Sequence, residues 1–364
     1  MLQKSNAIFH YPMDYKTELD DLIGTVSREG ASDLHISEGR HPMIRVSGFL
    51  VPLLKKPVLT KADTMALSKE LIPKSKQELF YSKKEIDFSY TFQDVRFRCN
   101  AYVQQGAVGL ALRLIPKQIR TLEELNLPPI LEQFTKKPQG FFLVVGPVGH
   151  GKSTTLSSMI NIINEERAEH IITIEDPIEF IYEQKRSIID QREVGNDTDS
   201  FEIALKSIFR QDADVLLIGE MRSPDTISTA VTAAETGHLV FSTLHTNDAA
   251  QTINRIIDSL SSDQQDQIRV ALASSLTGIF SQRLISRISG GLIPAYELLI
   301  NTSAVSNLIR EKRVHEINTV IETGLEQGMI DMNRSLADLV RAGEITVESA
   351  FMHSLNAKVL ERMI

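Results

Sequence analysis

The run Gly146-Pro147-Val148-Gly149-His150-Gly151-Lys152-Ser153-Thr154 fills every fixed position of the pattern G-x-x-x-x-G-K-[ST]. Residues of these types at this spacing make a phosphate cradle. Glycines let the backbone close on an anion, and successive N–H groups together with a helix N-terminus point at it. Lys152 is placed to reach β- and γ-phosphates, and the Ser153 hydroxyl to ligate Mg²⁺. The flanks agree: Phe141–Val145 is an apolar run suited to a buried strand, and Leu156, Met159, Ile160 and Ile163 carry helical spacing through Ser153–Ile163. The chemistry expected is binding of MgATP.

Hydrolysis needs acids beside the cradle, one to hold Mg²⁺ and another to orient or deprotonate the attacking water. Two segments supply them. Ile172-Thr173-Ile174-Glu175-Asp176-Pro177-Ile178-Glu179 delivers three carboxylates just past a buried strand, and spacing does not rank them. Leu216-Leu217-Ile218-Gly219-Glu220 is an apolar strand closing on an acid, the form of a Walker B segment. A third segment, Gly237-His238-Leu239-Val240-Phe241-Ser242-Thr243-Leu244-His245-Thr246, brackets a strand with histidines seven positions apart. Metal ligation does not fit, because no nearby cysteine or carboxylate completes a tetrahedral set. Sensing of a γ-phosphate and a plain structural role both remain open for His238 and His245.

The elements that must hold these groups alternate strand and helix from Gln139 onward, the mark of a parallel α/β sheet with ligands at its carboxyl edge. The expected strands are Phe141–Val145, Ile171–Glu175, Val215–Gly219 and Leu239–Leu244, with helices Ser153–Asn164, Ser200–Arg210 and Asp225–Glu235 between them. Asp248–Ser259 and Ser262–Leu284 then read as helices, Pro294–Ile300 as one more strand, and the chain from Ser303 as helical. This is a RecA-like P-loop core, 139–300, followed by a helical region, 301–364.

Residues 1–118 read as a separate α+β domain. A helix over Glu18–Ser27 precedes a hairpin turning at Ser47-Gly48. Helices over Lys61–Leu71 and Ser75–Tyr81 then lead to three antiparallel strands, Ile86–Phe92, Val95–Gln104 and Val108–Ile115. Arg96 and Arg98 share one face of their strand. Spacing alone favours a solvated face over a phosphate clamp for these two and Arg113. Four prolines within 23 residues make 116–138 an interdomain connection, with 119–138 as the linker proper.

Composition narrows the class. Hydrophobic residues are 42% and charged residues 24% of 364, the mix of a soluble globular protein with room for two domains. No run of about 18 apolar residues is present, and residues 1–20 lack the apolar core of a signal peptide. Cys99 is the one cysteine, which excludes an intrachain disulfide and a multi-cysteine zinc site. It reads as a buried small hydrophobe in a cytosolic protein. A net charge of −8 without a basic block argues against nucleic acid as the main partner.

Together these motifs resemble the type II/IV secretion ATPase superfamily, and most closely its type IV pilus retraction ATPases. The likeness spans nearly the whole chain. Besides the loop and the acidic strand ends it rests on Ile218-Gly219-Glu220-Met221-Arg222, Ala233-Ala234-Glu235-Thr236-Gly237-His238, Thr243-Leu244-His245-Thr246, Gln191-Arg192-Glu193-Val194-Gly195 and Ala31-Ser32-Asp33-Leu34-His35. The resemblance implies that Glu179 is the catalytic glutamate, Glu220 the Walker B acid, and His238 and His245 the His-box residues. It further implies that Arg98 and Arg113, with Arg96 less firmly, are supplied to the nucleotide by a PAS-like N-terminal domain, which reverses the solvated reading.

The expected activity is that of a homo-hexameric motor ATPase driving pilus retraction and twitching motility. It would work at the cytoplasmic face of the inner membrane on a pilus platform protein, alone or with a paralogous retraction ATPase. An accessory retraction ATPase that depends on a paralogue is the nearest alternative. A ring NTPase that translocates nucleic acid and a weakly hydrolysing regulatory ring are the more distant ones. Two positions depart from the family pattern. His150 stands where the loop usually has a small residue. Ala304-Val305-Ser306-Asn307-Leu308-Ile309 keeps four of six positions of the retraction segment Ala-Ile-Arg-Asn-Leu-Ile and lacks its arginine. Assembly and secretion relatives carry a four-cysteine zinc motif, for which this chain lacks the cysteines.

Overall fold

The computed structural model describes residues 14–364 apart from 47, 94 and 117. Residues 1–13 of the stretch read for a signal peptide therefore lie outside the described residues, as does Ser47 of the expected hairpin turn. The chain forms two compact units, Met1–Lys117 and Gln118–Ile364.

In the first unit α1 (Tyr15–Arg28) is capped by Asp14 and buries Leu19, Leu22, Ile23 and Val26, the stripe its spacing predicts. It is followed by β1 (Asp33–Ile36), β2 (Met43–Val46), β3 (Phe49–Pro52), α2 (Lys61–Leu71), α3 (Lys74–Lys83), β4 (Glu85–Phe92), β5 (Val95–Gln104) and β6 (Ala107–Ile115). Thr60 and Asp63 close a capping box at the start of α2. The strands form an antiparallel sheet in the order β3-β2-β1-β6-β5-β4. Alternation along β5 turns Phe97, Cys99 and Ala101 into the core, so Arg98 faces outward. Burial pushes the Cys99 thiol up, which leaves it an inert apolar filler.

The second unit contains α4 (Glu132–Thr135), β7 (Gly140–Val145), α5 (Lys152–Glu166), β8 (His170–Glu175), β9 (Ile188–Glu193), α6 (Phe201–Ile208) and β10 (Val215–Ile218). After these come α7 (Pro224–Glu235), β11 (Leu239–Leu244), α8 (Ala249–Asp258), α9 (Ser262–Ser275), β12 (Leu276–Ser286) and β13 (Leu292–Ile300). The tail carries α10 (Ser303–Arg310), α11 (Ile317–Thr323), α12 (Met332–Arg341), α13 (Val347–His353) and α14 (Ala357–Glu361). The sheet order is β13-β12-β7-β11-β10-β8-β9, parallel throughout except for β13 against β12. Parallel pairing brings the carboxyl ends of β7, β8, β10 and β11 to one edge. The phosphate loop, Glu175–Glu179, Glu220 and His245 therefore meet there.

The structure departs from the sequence reading in two places. Ser262–Leu284 is not one helix: α9 stops at Ser275 and the chain turns into β12, beside β7. Leu276 and the run Gly278–Arg283 are buried, so this strand lacks the period-two alternation that would have revealed it. Gly278 allows the close approach, since a Cβ there would lie 2.8 Å from the Phe134 ring and 2.9 Å from the Leu299 carbonyl oxygen. Second, β9 is an edge strand too polar to read from its apolar pattern. Within 119–138, Leu122, Leu127, Leu131 and Phe134 share a core with Phe142, Val144, Leu156 and Met159.

Candidate active site

Every residue of β7 is buried, which fixes the point where the phosphate loop leaves the sheet. Gly146 takes φ 141° and packs against β12 so closely that a Cβ would sit 2.3 Å from the Gln282 carbonyl oxygen. Gly149 and Gly151 both take φ 80°, conformations a side chain would strain. Gly151 is the N-cap of α5. The three glycines thus do what the pattern asks of them.

Lys152 is folded back into the loop. Its Nζ donates to the carbonyl oxygens of Gly146 at 2.8 Å and Pro147 at 2.9 Å, and to His245 Nδ1 at 3.0 Å. An ammonium only donates, so Nδ1 is the accepting nitrogen and the ring proton sits on Nε2. That nitrogen lies 3.2 Å from Glu220 Oε1. Arg222 Nε donates to the other carboxylate oxygen, Oε2, at 2.9 Å. Burial pushes the Lys152 ammonium down to about 8, against the upward pull of Glu220 and Glu179. Burial likewise opposes the charge on Glu220, but the hydrogen bond from Arg222, the attraction of the His245 ring N–H and the Arg222 charge prevail and hold it below its ordinary value.

The three acids past β8, which spacing left unranked, differ in surroundings. Glu175 is buried and accepts from Thr173 Oγ1 at 2.7 Å. Burial raises its carboxyl to about 7, with the nearby Glu179 charge adding to the effect. Asp176 and Glu179 are exposed, and the Glu179 carboxylate acts electrostatically on Lys152. The loop that carries Glu179 is held from β9. Gln191 Oε1 accepts from Tyr182 N at 3.0 Å, Gln191 Nε2 donates to Phe180 O at 2.7 Å, and Glu193 Oε2 accepts from Ile178 N at 3.2 Å. Sequence reading gave Gln191 and Glu193 no role of their own.

His238 is not brought to this edge. It precedes β11 at the opposite end from His245, about 23 Å away by the strand rise. Its Nδ1 faces Ala233 O at 3.0 Å and its ring packs edge-on against Phe209, so within the chain it closes the end of α7. His150, the bulky loop residue, faces β12: its Nδ1 accepts from Leu284 N at 2.8 Å and its ring meets that of His353 edge-on. In the first unit Arg98 stands directly opposite Arg113 across β5 and β6. Arg113 Nε donates to Asp33 Oδ1 at 3.0 Å, and Arg113 remains exposed.

A cavity of about 400 Å³ adjoins the loop, lined by Gly151, Thr154 and Thr155 with Arg120, Asn126 and Pro294. Its size suits a small organic ligand. Ser153 and Glu220 offer the oxygen donors that Mg²⁺ takes, completed by phosphate and water oxygens. The glycine contacts support that fit, because a cradle closed by side chains would exclude the phosphates. Among the described residues no helix is long and apolar enough to cross a membrane.

The chain is similar along most of its length to known proteins. The "Type IV pilus retractation ATPase PilT" of Pseudomonas aeruginosa is 42% identical over 334 residues, which is 92% of this chain and 97% of that protein. The "Type IV pilus ATPase PilU" of the same organism is 40% identical over 349 residues, 95% of this chain and 91% of that one. A crystal structure of the pilus retraction motor PilT with bound ADP superposes with a TM-score of 0.89 at 41% identity, covering 94% of this chain and 98% of the other. The family profile described as "Type II/IV secretion system protein" matches residues 15–292. With its phosphate loop, strand-end acids and two-sheet architecture, the chain belongs to the type II/IV secretion system protein family.

Proposed function

We propose that this chain is a motor ATPase that hydrolyses MgATP to drive type IV pilus retraction. The observation that carries the reading is the unbroken contact series Lys152–His245–Glu220–Arg222 beside the phosphate loop, in a chain alike over nearly its whole length to a retraction ATPase. Phosphates in the loop would take over the ammonium of Lys152 from the carbonyls of Gly146 and Pro147. Mg²⁺, held by Ser153 and organised by Glu220, supplies charge neutralisation to the phosphates. Glu179 is the exposed acid suited to position water, and His245 links the loop to Glu220. Arg98 and Arg113 would reach the nucleotide by closure of the first unit, their own or a neighbour's, and stabilise transition-state charge.

The working form is a homo-hexamer in the cytoplasm at the inner membrane, acting on the pilus platform protein. Staggered closure around the ring converts turnover into motion. One observation favours an accessory role beside a paralogous retraction ATPase. Ser306 stands where the retraction segment has arginine, and its hydroxyl is turned inward to Ala273 O at 2.8 Å. ATPase activity measured together with mass in solution tests the enzyme reading, and an inactive monomer would overturn it. Complementation of a retraction-deficient strain, with and without the paralogue, separates the two roles.

A further inference from the structure

We propose that Gln282, oriented by Thr155, is a positioning residue for the phosphate loop: it fixes the 150–151 peptide so that Gly151 N–H faces the phosphates. The inference rests on the nucleotide reading above. Gln282 lies on β12 and is almost fully buried. Its Nε2 donates to His150 O at 2.9 Å, and its Oε1 accepts from Thr155 Oγ1 at 2.6 Å.

His150 O can only accept, so Nε2 must face it, and the Thr155 hydroxyl, donating to Oε1, holds the amide in that orientation. In a trans peptide the carbonyl and the following N–H point to opposite sides. Holding His150 O toward β12 therefore directs Gly151 N–H away from β12. Gly151 has no steric preference of its own that would keep this peptide from flipping. A flip would turn a carbonyl where a phosphate needs a donor.

The approach is tight at both ends of the loop. A Cβ on Gly151 would meet Gln282 Nε2 at 3.1 Å, and one on Gly146 would meet Gln282 O at 2.3 Å. His150 Nδ1, accepting from Leu284 N, ties the same residue to the same strand a second time. The strand that carries this brace lies more than 120 positions beyond the loop in the chain, and β12 was not expected to be a strand at all.

The test uses the full chain and ADP titrated calorimetrically, with thermal unfolding in the absence of nucleotide. Gln282→Glu loses the donor to His150 O, and Thr155→Val loses the bond that orients the amide. Each should weaken ADP binding about tenfold, the loss of one well-placed hydrogen bond. Thr155→Ser keeps the hydroxyl and should bind within about twofold of the parent. Because Thr155 acts through Gln282, the double variant Thr155→Val/Gln282→Glu should bind no more weakly than Gln282→Glu. Parent-like ADP affinity in Gln282→Glu overturns the proposal, as does a Thr155→Ser variant as weak as Thr155→Val. Should Gln282→Glu fail to fold, the two Thr155 variants decide the matter. A parent chain that binds no ADP would overturn the nucleotide reading itself.

Discussion

Lys152 Nζ lies 3.0 Å from His245 Nδ1, and the other nitrogen of that ring lies 3.2 Å from Glu220. One imidazole thus connects the cation of the phosphate loop to the acid that ends β10. Burial lowers the pKa of that ammonium to about 8.

This relationship predicts linked protonation. Phosphates restore the ammonium's preference for the charged form, so ADP binding should take up a proton above pH 8 and little below pH 7. Calorimetry in buffers of different ionisation enthalpy reads the uptake directly. Lys152→Ala should remove the uptake, weaken ADP binding about a hundredfold and end turnover. An unchanged affinity would overturn the site.

Glu179 and Glu175 should separate cleanly. Glu179→Gln should retain MgATP while turnover falls by about 10²- to 10⁴-fold in a single-turnover assay. Glu175→Gln should cost far less activity and act on stability instead. The Glu175 carboxyl is raised to about 7, so the stability it lends is complete below its unfolded value and is lost as pH rises through 7. Denaturant titrations should show Glu175→Gln gaining on the parent between pH 5 and 8.

His150 should not make nucleotide affinity vary between pH 7 and 8. Burial, followed by the charges of His353, Arg283 and Lys152, lowers its pKa below 6.5, and its Nδ1 is already an acceptor. The neutral ring is the folded form. Its contribution is present above 6.5 and is lost as pH falls through the lowered folded value. His150→Ser should flatten part of the acid-side fall in unfolding free energy, and an unaltered pH profile would count against the His150–Leu284 tie.

Gly278→Ala should destabilise the second unit by about 1–3 kcal/mol, the cost of overpacking. The added methyl meets Phe134 and the Leu299 carbonyl at under 3 Å. Thermal unfolding checks it, and a neutral substitution would mean that β12 and α4 part easily.

Arg98→Ala should lower kcat by about 10²- to 10³-fold with a smaller change in nucleotide affinity, the signature of a cation that acts in the transition state. Steady-state kinetics alongside ADP titration distinguishes this from a pure loss of affinity.

The sequence determined what is local. Glycines at 146, 149 and 151 imply their own backbone, the apolar strand Val215–Ile218 implies an acid at a sheet edge, and the stripe of α1 implies its buried face. Resemblance added roles for Glu179, Glu220 and His245, which parallel pairing brings to one edge. Tertiary structure decided what depends on the environment rather than on the residue type. Burial separates Glu175 from Glu179, though spacing presents them as equals. Strand direction sends His238 to the far end of β11, and a Leu284 N–H donor turns His150 toward β12. The strand β12 was hidden because it is buried along most of its length, which erases the alternation that marks a strand. Gln282 was hidden with it, since a glutamine between Ser281 and Arg283 has no motif until its two bonds, to Thr155 and to His150, are seen in space.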